Sequence, residues 1–262
     1  MTEINPTDDD QAPNVPGAEE KHNALVDKNE MPLLDHLLEL RQRLLRSVMA
    51  IGILFFPVYY FANDIYIFVA APLLAHLPSG NMIATEVASP FLTPFKLAAF
   101  TSLYLAVPFL LHQVWGFVSP GLYLREKKFA LPLLVSSTVL FYVGMAFAYY
   151  LVFPLVFEFF ASVTPDGVTM MTDINRYLDF VLKMFLAFGI AFEIPVATFL
   201  LVLSGLTTPQ TMARKRPYVI VGCFAGAMLL TPPDVISQVL LAGPTWALFE
   251  IGIILARLAT RN

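Results

Sequence analysis

Residues 177–203 read YLDFVLKMFLAFGIAFEIPVATFLLVL, a run long enough to cross a bilayer as a helix, with Glu193 in its interior. From 184 to 194 only apolar or small residues flank that carboxylate, and Pro195 follows two positions later. An acid at such a depth costs at least ~2.5–3.5 kcal/mol on insertion scales, so by default it marks a functional site. Pro195 removes a backbone N–H and disturbs the turn before it, which lies beside the acid. These features predict an all-α integral membrane protein with a polar docking point inside the lipid. A competing reading keeps Glu193 protonated and hydrogen-bonded to a neighbouring helix.

Composition points the same way. Of 262 residues 57% are hydrophobic, 23 are Phe and only 14% are charged, with mean hydropathy +0.68, far from a soluble average. The acids are unevenly placed: residues 1–39 hold ten of the 20 Asp and Glu against Lys21 and Lys28 alone, a balance of −8, and the rest of the chain carries +4. The acidic pI of about 5.5 therefore reports a tail and not the body. A single cysteine, Cys223 in an apolar run, excludes a disulfide framework and a CxxC site and reads as a small core residue.

Residues 1–30, rich in Pro, Asp, Asn and Glu, are expected to form a disordered acidic tail. They lack the basic and apolar regions of a cleaved signal peptide and the Arg-rich character of a transit peptide. A membrane domain is expected over 31–257, with 258–262 as a short C-terminus. It begins with an amphipathic helix whose Leu34, Leu37, Leu38, Leu44 and Leu45 gather on one side, feeding directly into a span. Glu39 and Arg43, spaced i,i+4, read as a surface ion pair worth ~0.2–0.5 kcal/mol.

Six spans are predicted, at 47–66, 96–118, 129–152, 177–203, 217–230 and 236–256. Lys and Arg set the orientation: Arg41, Arg43 and Arg46 precede the first span, Arg125, Lys127 and Lys128 follow the second, Arg214, Lys215 and Arg216 follow the fourth, and Arg257 and Arg261 follow the sixth. The alternate connections 67–95, 153–175 and 231–235 hold no base, so both termini are expected in the cytoplasm. Pro72, Pro78, Pro90 and Pro94 predict short helical pieces and turns over 67–95. The fifth and sixth spans with their turn fill only 217–256, and both are expected to be short. Residues 231–234, TPPD, would then sit below the usual outer surface, with the bilayer thinned or water admitted. Gly222 and Gly226 form a GxxxG that admits a close helix, from this chain or from a partner.

The sequence holds no HExxH, P-loop, GxGxxG or GxSxG, and its four histidines have no metal-ligand spacing. No catalytic residues, metal, cofactor or nucleic-acid partner are expected. Enzyme classes recede, leaving a receptor for peptides or helices and an ion-coupled secondary transporter using Glu193 as a proton or cation site. The transporter reading wants a matching broken span in the other half, and none is visible.

The runs HLLELRQRLL (36–45), SPFLTPFKL (89–97), FVSPGLYLREKK (117–128), FLAFGIAFEIP (185–195), RKRPYVIVG (214–222) and MLLTPPDVISQ (228–238) resemble TatC, the multispanning receptor subunit of the twin-arginine protein translocase. The resemblance covers roughly 31–257 with no departure at the motif positions. It implies a subunit in the bacterial inner membrane that binds twin-arginine signal peptides of folded cargo. It also implies recruitment of the single-span partners TatB and TatA into a multimeric receptor complex, driven by the proton-motive force. On this chain the arginine-reading surface falls on Glu126 and Phe117, with Glu39 and Arg41. A carboxylate suits that task, because a guanidinium pairs with it bidentately. Neutralisation of Glu126 by Arg125, Lys127 and Lys128 is the competing reading. Glu193 matches an acid on a concave face that meets a polar group of a partner or signal helix. Met228, Thr231 and Gln238 match the TatA/TatB docking region, against the plain alternatives of packing, turn satisfaction and capping. Asp234 reads as the cap of the following helix.

Overall fold

The structure is a computed structural model that describes residues 18–75, 77, 81–118, 130–165, 167–168, 170–230 and 235–260. The described residues are nearly all helical: α1 (Ala18–Tyr60), α2 (Ala62–Leu74), α3 (Ser89–Leu105), α4 (Val107–Val118), α5 (Ala130–Phe147), a π-helical turn (Ala148–Val152), α6 (Phe153–Ser162), α7 (Ile174–Ala191), α8 (Ile194–Leu203), α9 (Pro209–Arg214), α10 (Arg216–Leu230) and α11 (Val235–Thr260). Exposed apolar side chains are abundant, with Ile53 at 72% and Phe56 at 76%, as befits helices whose solvent is hydrocarbon.

Four stretches are long and apolar enough to cross a membrane: Leu37–Tyr60, Leu131–Ser162, Ile174–Leu203 and Val235–Leu258. Ser89–Leu105 and Val107–Phe117, bent by 50° at Ala106, add a fifth when taken as one broken span. The stretch expected as span 217–230 is α10, only 15 residues long and below that length.

Several boundaries differ from expectation. Helix α1 takes in residues 18–30, expected without structure; good helix formers there (Ala, Glu, Lys, Leu) outweigh the polar composition. The first span ends at Tyr60 rather than 66, and α2 starts afresh at Ala62. The third continues past 152 to Ser162, because the π turn rearranges the hydrogen-bond ladder just where Pro154 withholds its N–H. The last helix is 26 residues long, so shortness belongs to α10 alone. The connection 67–95 contains the C-terminal part of α2, turns, and the first turns of α3, which starts at Ser89 where the second span was expected from 96.

The chain divides into two units, Met1–Leu45 and Arg46–Asn262. In the first, Arg43 donates from Nε and Nη2 to Glu39 Oε1, at 2.9 and 2.6 Å, which realises the expected i,i+4 pair. In the second, α7 is the organising helix. Its Leu178, Val181, Leu182, Met184, Phe185 and Phe188 are buried at helical spacing, and it packs on α3 and α5, with α10 and α11 also in contact. Two contacts show why small residues matter in lipid, where backbones must approach without hydrophobic drive. A Cβ on Gly144 would lie 2.5 Å from the Phe188 carbonyl oxygen, and one on Gly252 would lie 2.9 Å from Cα of Pro195.

Buried hydroxyls spend their polarity on backbone carbonyls: Tyr104 donates to Leu182 at 2.6 Å, Tyr142 to Tyr104 at 3.0 Å and Tyr177 to Val69 at 2.7 Å. Each gives a hydroxyl packed inside the bundle a partner that water cannot supply.

Candidate functional site

Glu193 sits where the fourth span breaks. Helix α7 ends at Ala191 and α8 starts at Ile194 with Pro195 in its first turn. The Phe192 N–H still donates to the Phe188 carbonyl at 3.0 Å, whereas the Glu193 N–H donates three residues back, to Ile190, at 3.0 Å. The ladder resumes when the Ala197 N–H reaches the Glu193 carbonyl at 2.9 Å. The proline has therefore tightened the preceding turn and set the acid on it, as the sequence predicts.

The Glu193 side chain is half-buried, and the hydroxyl of Ser137 on α5, itself 1% exposed, is its hydrogen-bonding neighbour. Its Oε1 is buried with no hydrogen-bond partner among the described residues. A carboxylate has about four lone-pair sites, so a side chain that leaves one whole oxygen unmet is a group with capacity to spare. Such an atom inside a bilayer is costly until something polar arrives.

Beside this break lies a hollow of about 360 Å³ lined by Ile190, Ala191 and Ile194 on one wall and Val219, Gly222, Cys223 and Gly226 on α10 opposite. Glu193 itself is not among the lining residues. A Cβ added at Gly222 or Gly226 would meet nothing within 4 Å. Among the described residues, no other helix fills the space directly over these two glycines of α10.

Of the residues matched to the docking region, Met228 projects from α10 at 64% exposure, and Gln238 lies in the first turns of α11, partly buried. Thr231 and Asp234 lie outside the described residues, as does Glu126 with the loop around it. Phe117 is the next-to-last residue of α4 and partly buried, and Arg41 is exposed on α1, two positions from both Glu39 and Arg43. Glu39 is already engaged by Arg43.

Sequence reading missed the polar cluster at the start of α7. Asp173 caps that helix: its Oδ1 accepts from the N–H of Asn175 and Arg176, and its Oδ2 from the N–H and hydroxyl of Thr85, at 3.0 and 2.6 Å. These bonds hold its carboxyl at about 2, below the usual carboxylate range, with the Thr85 hydroxyl the largest cause. The parallel bridge between Ile83 and Asp173 lies alongside. The Asp-Ile-Asn start before an apolar periodic run was a legible cap signal. Two ion pairs had no local signal: Lys96 with Asp179 at 2.7 Å, across 83 positions, and Arg216 with Glu250 at 2.6 Å.

Comparison with known proteins gives consistent results. The family model described as Sec-independent protein translocase protein (TatC) matches residues 35–244. The Sec-independent protein translocase protein TatC of Azotobacter chroococcum mcd 1 is 64% identical over 225 residues, covering 86% of this chain and 88% of that relative. Its counterpart in Escherichia coli (strain K12) is 54% identical over 231 residues, covering 88% and 90%. A crystal structure of the twin arginine translocase receptor TatC superposes with a TM-score of 0.78 at 38% identity, covering 86% of this chain and 99% of that one.

Proposed function

The chain belongs to the TatC family of Sec-independent protein translocase proteins, and from that premise we propose how this subunit handles its cargo. It is a multispanning component of a bacterial protein translocase. Our reading is that it binds the twin-arginine signal peptides of folded proteins at the cytoplasmic face and then recruits TatB and TatA into a multimeric receptor complex. The proton-motive force drives the passage. The 31–257 domain crosses the inner membrane six times, with α10 as the short fifth span and both termini cytoplasmic.

The observation that carries this reading is the unpartnered Oε1 of Glu193, set by a helix break next to an open groove floored by glycines. A carrier for small ions needs only the acid. An open face with GxxxG spacing is what a visiting helix requires. In the proposal Glu126 reads the paired arginines through a bidentate, charge-assisted contact, and Phe117, Glu39 and Arg41 are further contacts of the signal peptide. Glu193 receives a polar group of the partner or signal helix, and Met228, Thr231 and Gln238 belong to the TatA/TatB docking surface.

The test is photocrosslinking of an Arg-Arg signal peptide to the protein in membrane vesicles. Glu126→Gln is expected to reduce crosslinking at least ~tenfold, the worth of one charge-assisted hydrogen bond, while the protein stays folded. Unchanged crosslinking removes Glu126 from the site.

A further inference from the structure

A second hollow, of about 530 Å³, opens between α3 and the start of α7, away from Glu193. Its lining is divided by chemistry. Lys96 and Arg176 supply positive charge and Glu86 and Asp179 negative, while Leu92, Phe95, Ala99 and Phe100 form an apolar flank. Asp173, also at this wall, is saturated by its own backbone and Thr85, so it is not available to a ligand. Lys96 is held by Asp179 at 2.7 Å and keeps 31% of its side chain exposed. Glu86 and Arg176 are exposed and have no ion-pair partner among the described residues.

The position is as telling as the charges. Arg176 and Asp179 lie in the first turns of the Ile174–Leu203 span, and Lys183, one turn further in, is also exposed. Such a ladder sits where an apolar helix leaves the headgroup layer, and long cationic side chains there reach back toward phosphates. Arg176 also borders a separate apolar hollow of about 250 Å³, with Leu73, Phe157, Phe160 and Phe180 in its wall. A ligand suited to this place has an anion, a cation a few bonds away and hydrocarbon below.

We propose that this hollow binds a phospholipid with a primary-amine headgroup, its phosphate on Arg176 and Lys96, its ammonium on Glu86 and an acyl chain along Leu92, Phe95 and Phe100. A quaternary amine fits poorly, since it has no N–H to give the Glu86 carboxylate. A purely anionic headgroup leaves Glu86 facing like charge. The site lies in the leaflet at the N-terminal end of α7, and its occupancy does not depend on the orientation proposed above.

The experiment is native mass spectrometry of the full chain released from nanodiscs holding equal amounts of phosphatidylethanolamine, phosphatidylcholine and phosphatidylglycerol. The ethanolamine lipid is expected to be retained over the choline lipid by about tenfold. Glu86→Gln should erase that preference, and Arg176→Gln should lower retention of all three lipids, with thermal stability unchanged in both. Equal retention of the three lipids by the unaltered protein overturns the proposal, as does a preference that survives Glu86→Gln. If Arg176→Gln leaves lipid retention intact but weakens co-purification of a partner helix, the hollow belongs to a protein ligand and the proposal also fails.

Discussion

Two carboxylates bracket the same helix, α7, and have opposite surroundings. Asp173, just before α7, accepts four hydrogen bonds from three residues and ties the 81–85 segment to the helix start. Glu193, just past the other end of α7, has one oxygen without a partner among the described residues. Both are acids beside a helix terminus, and a motif scan would treat them alike. Counting satisfied lone pairs separates them: a saturated acid is part of the scaffold, and an unsaturated one inside an apolar span has capacity for a further polar contact.

The largest effect on the protein's integrity is expected at the saturated acid. Asp173→Ala removes the cap of α7 and frees Thr85, and the thermal midpoint in detergent should fall by several degrees, more than for any substitution at Glu193. The same bonds set a pH dependence. Because the folded carboxyl lies at about 2, its stabilisation is complete above its ordinary value of ~3.9 and is lost as pH falls toward the folded value. The unaltered protein should therefore lose more stability than Asp173→Ala between pH ~4 and ~2. Equal acid sensitivity of the two proteins would make Asp173 an ordinary surface acid.

Next comes Glu193→Ala. Partner-helix crosslinking should fall severalfold while twin-arginine peptide binding and the thermal midpoint hold, since few internal bonds are lost. Parallel loss of both binding events would mean misfolding and would erase the contrast with Asp173.

The smallest change in stability is expected on α10. Gly226→Ala meets open space and gains up to about 1 kcal/mol in helix propensity, yet it should weaken partner docking by narrowing the groove. Gly144→Ala, pressed against the Phe188 carbonyl, should destabilise the fold instead. A reversal of these two outcomes would show that the groove is not a docking face.

Much of this was legible from residue order. Glu193 followed by Pro195 foretold both the acid and the break, because a proline's missing N–H acts locally. The Glu39–Arg43 pair followed from helical spacing. Span ends were harder to read. Residues 148–162 carry Glu158 as their one charge, inside α6 and not at its end, so nothing marks where the helix stops, and a count of twenty residues cut it short. The last helix carries Pro244 inside it without ending. Pairs such as Lys96–Asp179 and contacts such as Ser137–Glu193 depend on which helices become neighbours, information held by the whole packing and not by any segment.

The π turn at Ala148–Val152 has a consequence for how the chain is aimed. Widening one turn to i→i+5 bonding works as a one-residue insertion, and each α-helical residue advances about 100° around the axis. Everything beyond it is thereby swivelled, so that Ala148 and Val152 pack at 0% exposure while Phe153 and Val156, past the turn, are still wholly buried and α6 meets α2. Deleting a single residue there would rotate the phenylalanines of α6 out of the interior without changing one side chain, which makes register, rather than composition, the quantity this part of the sequence must keep.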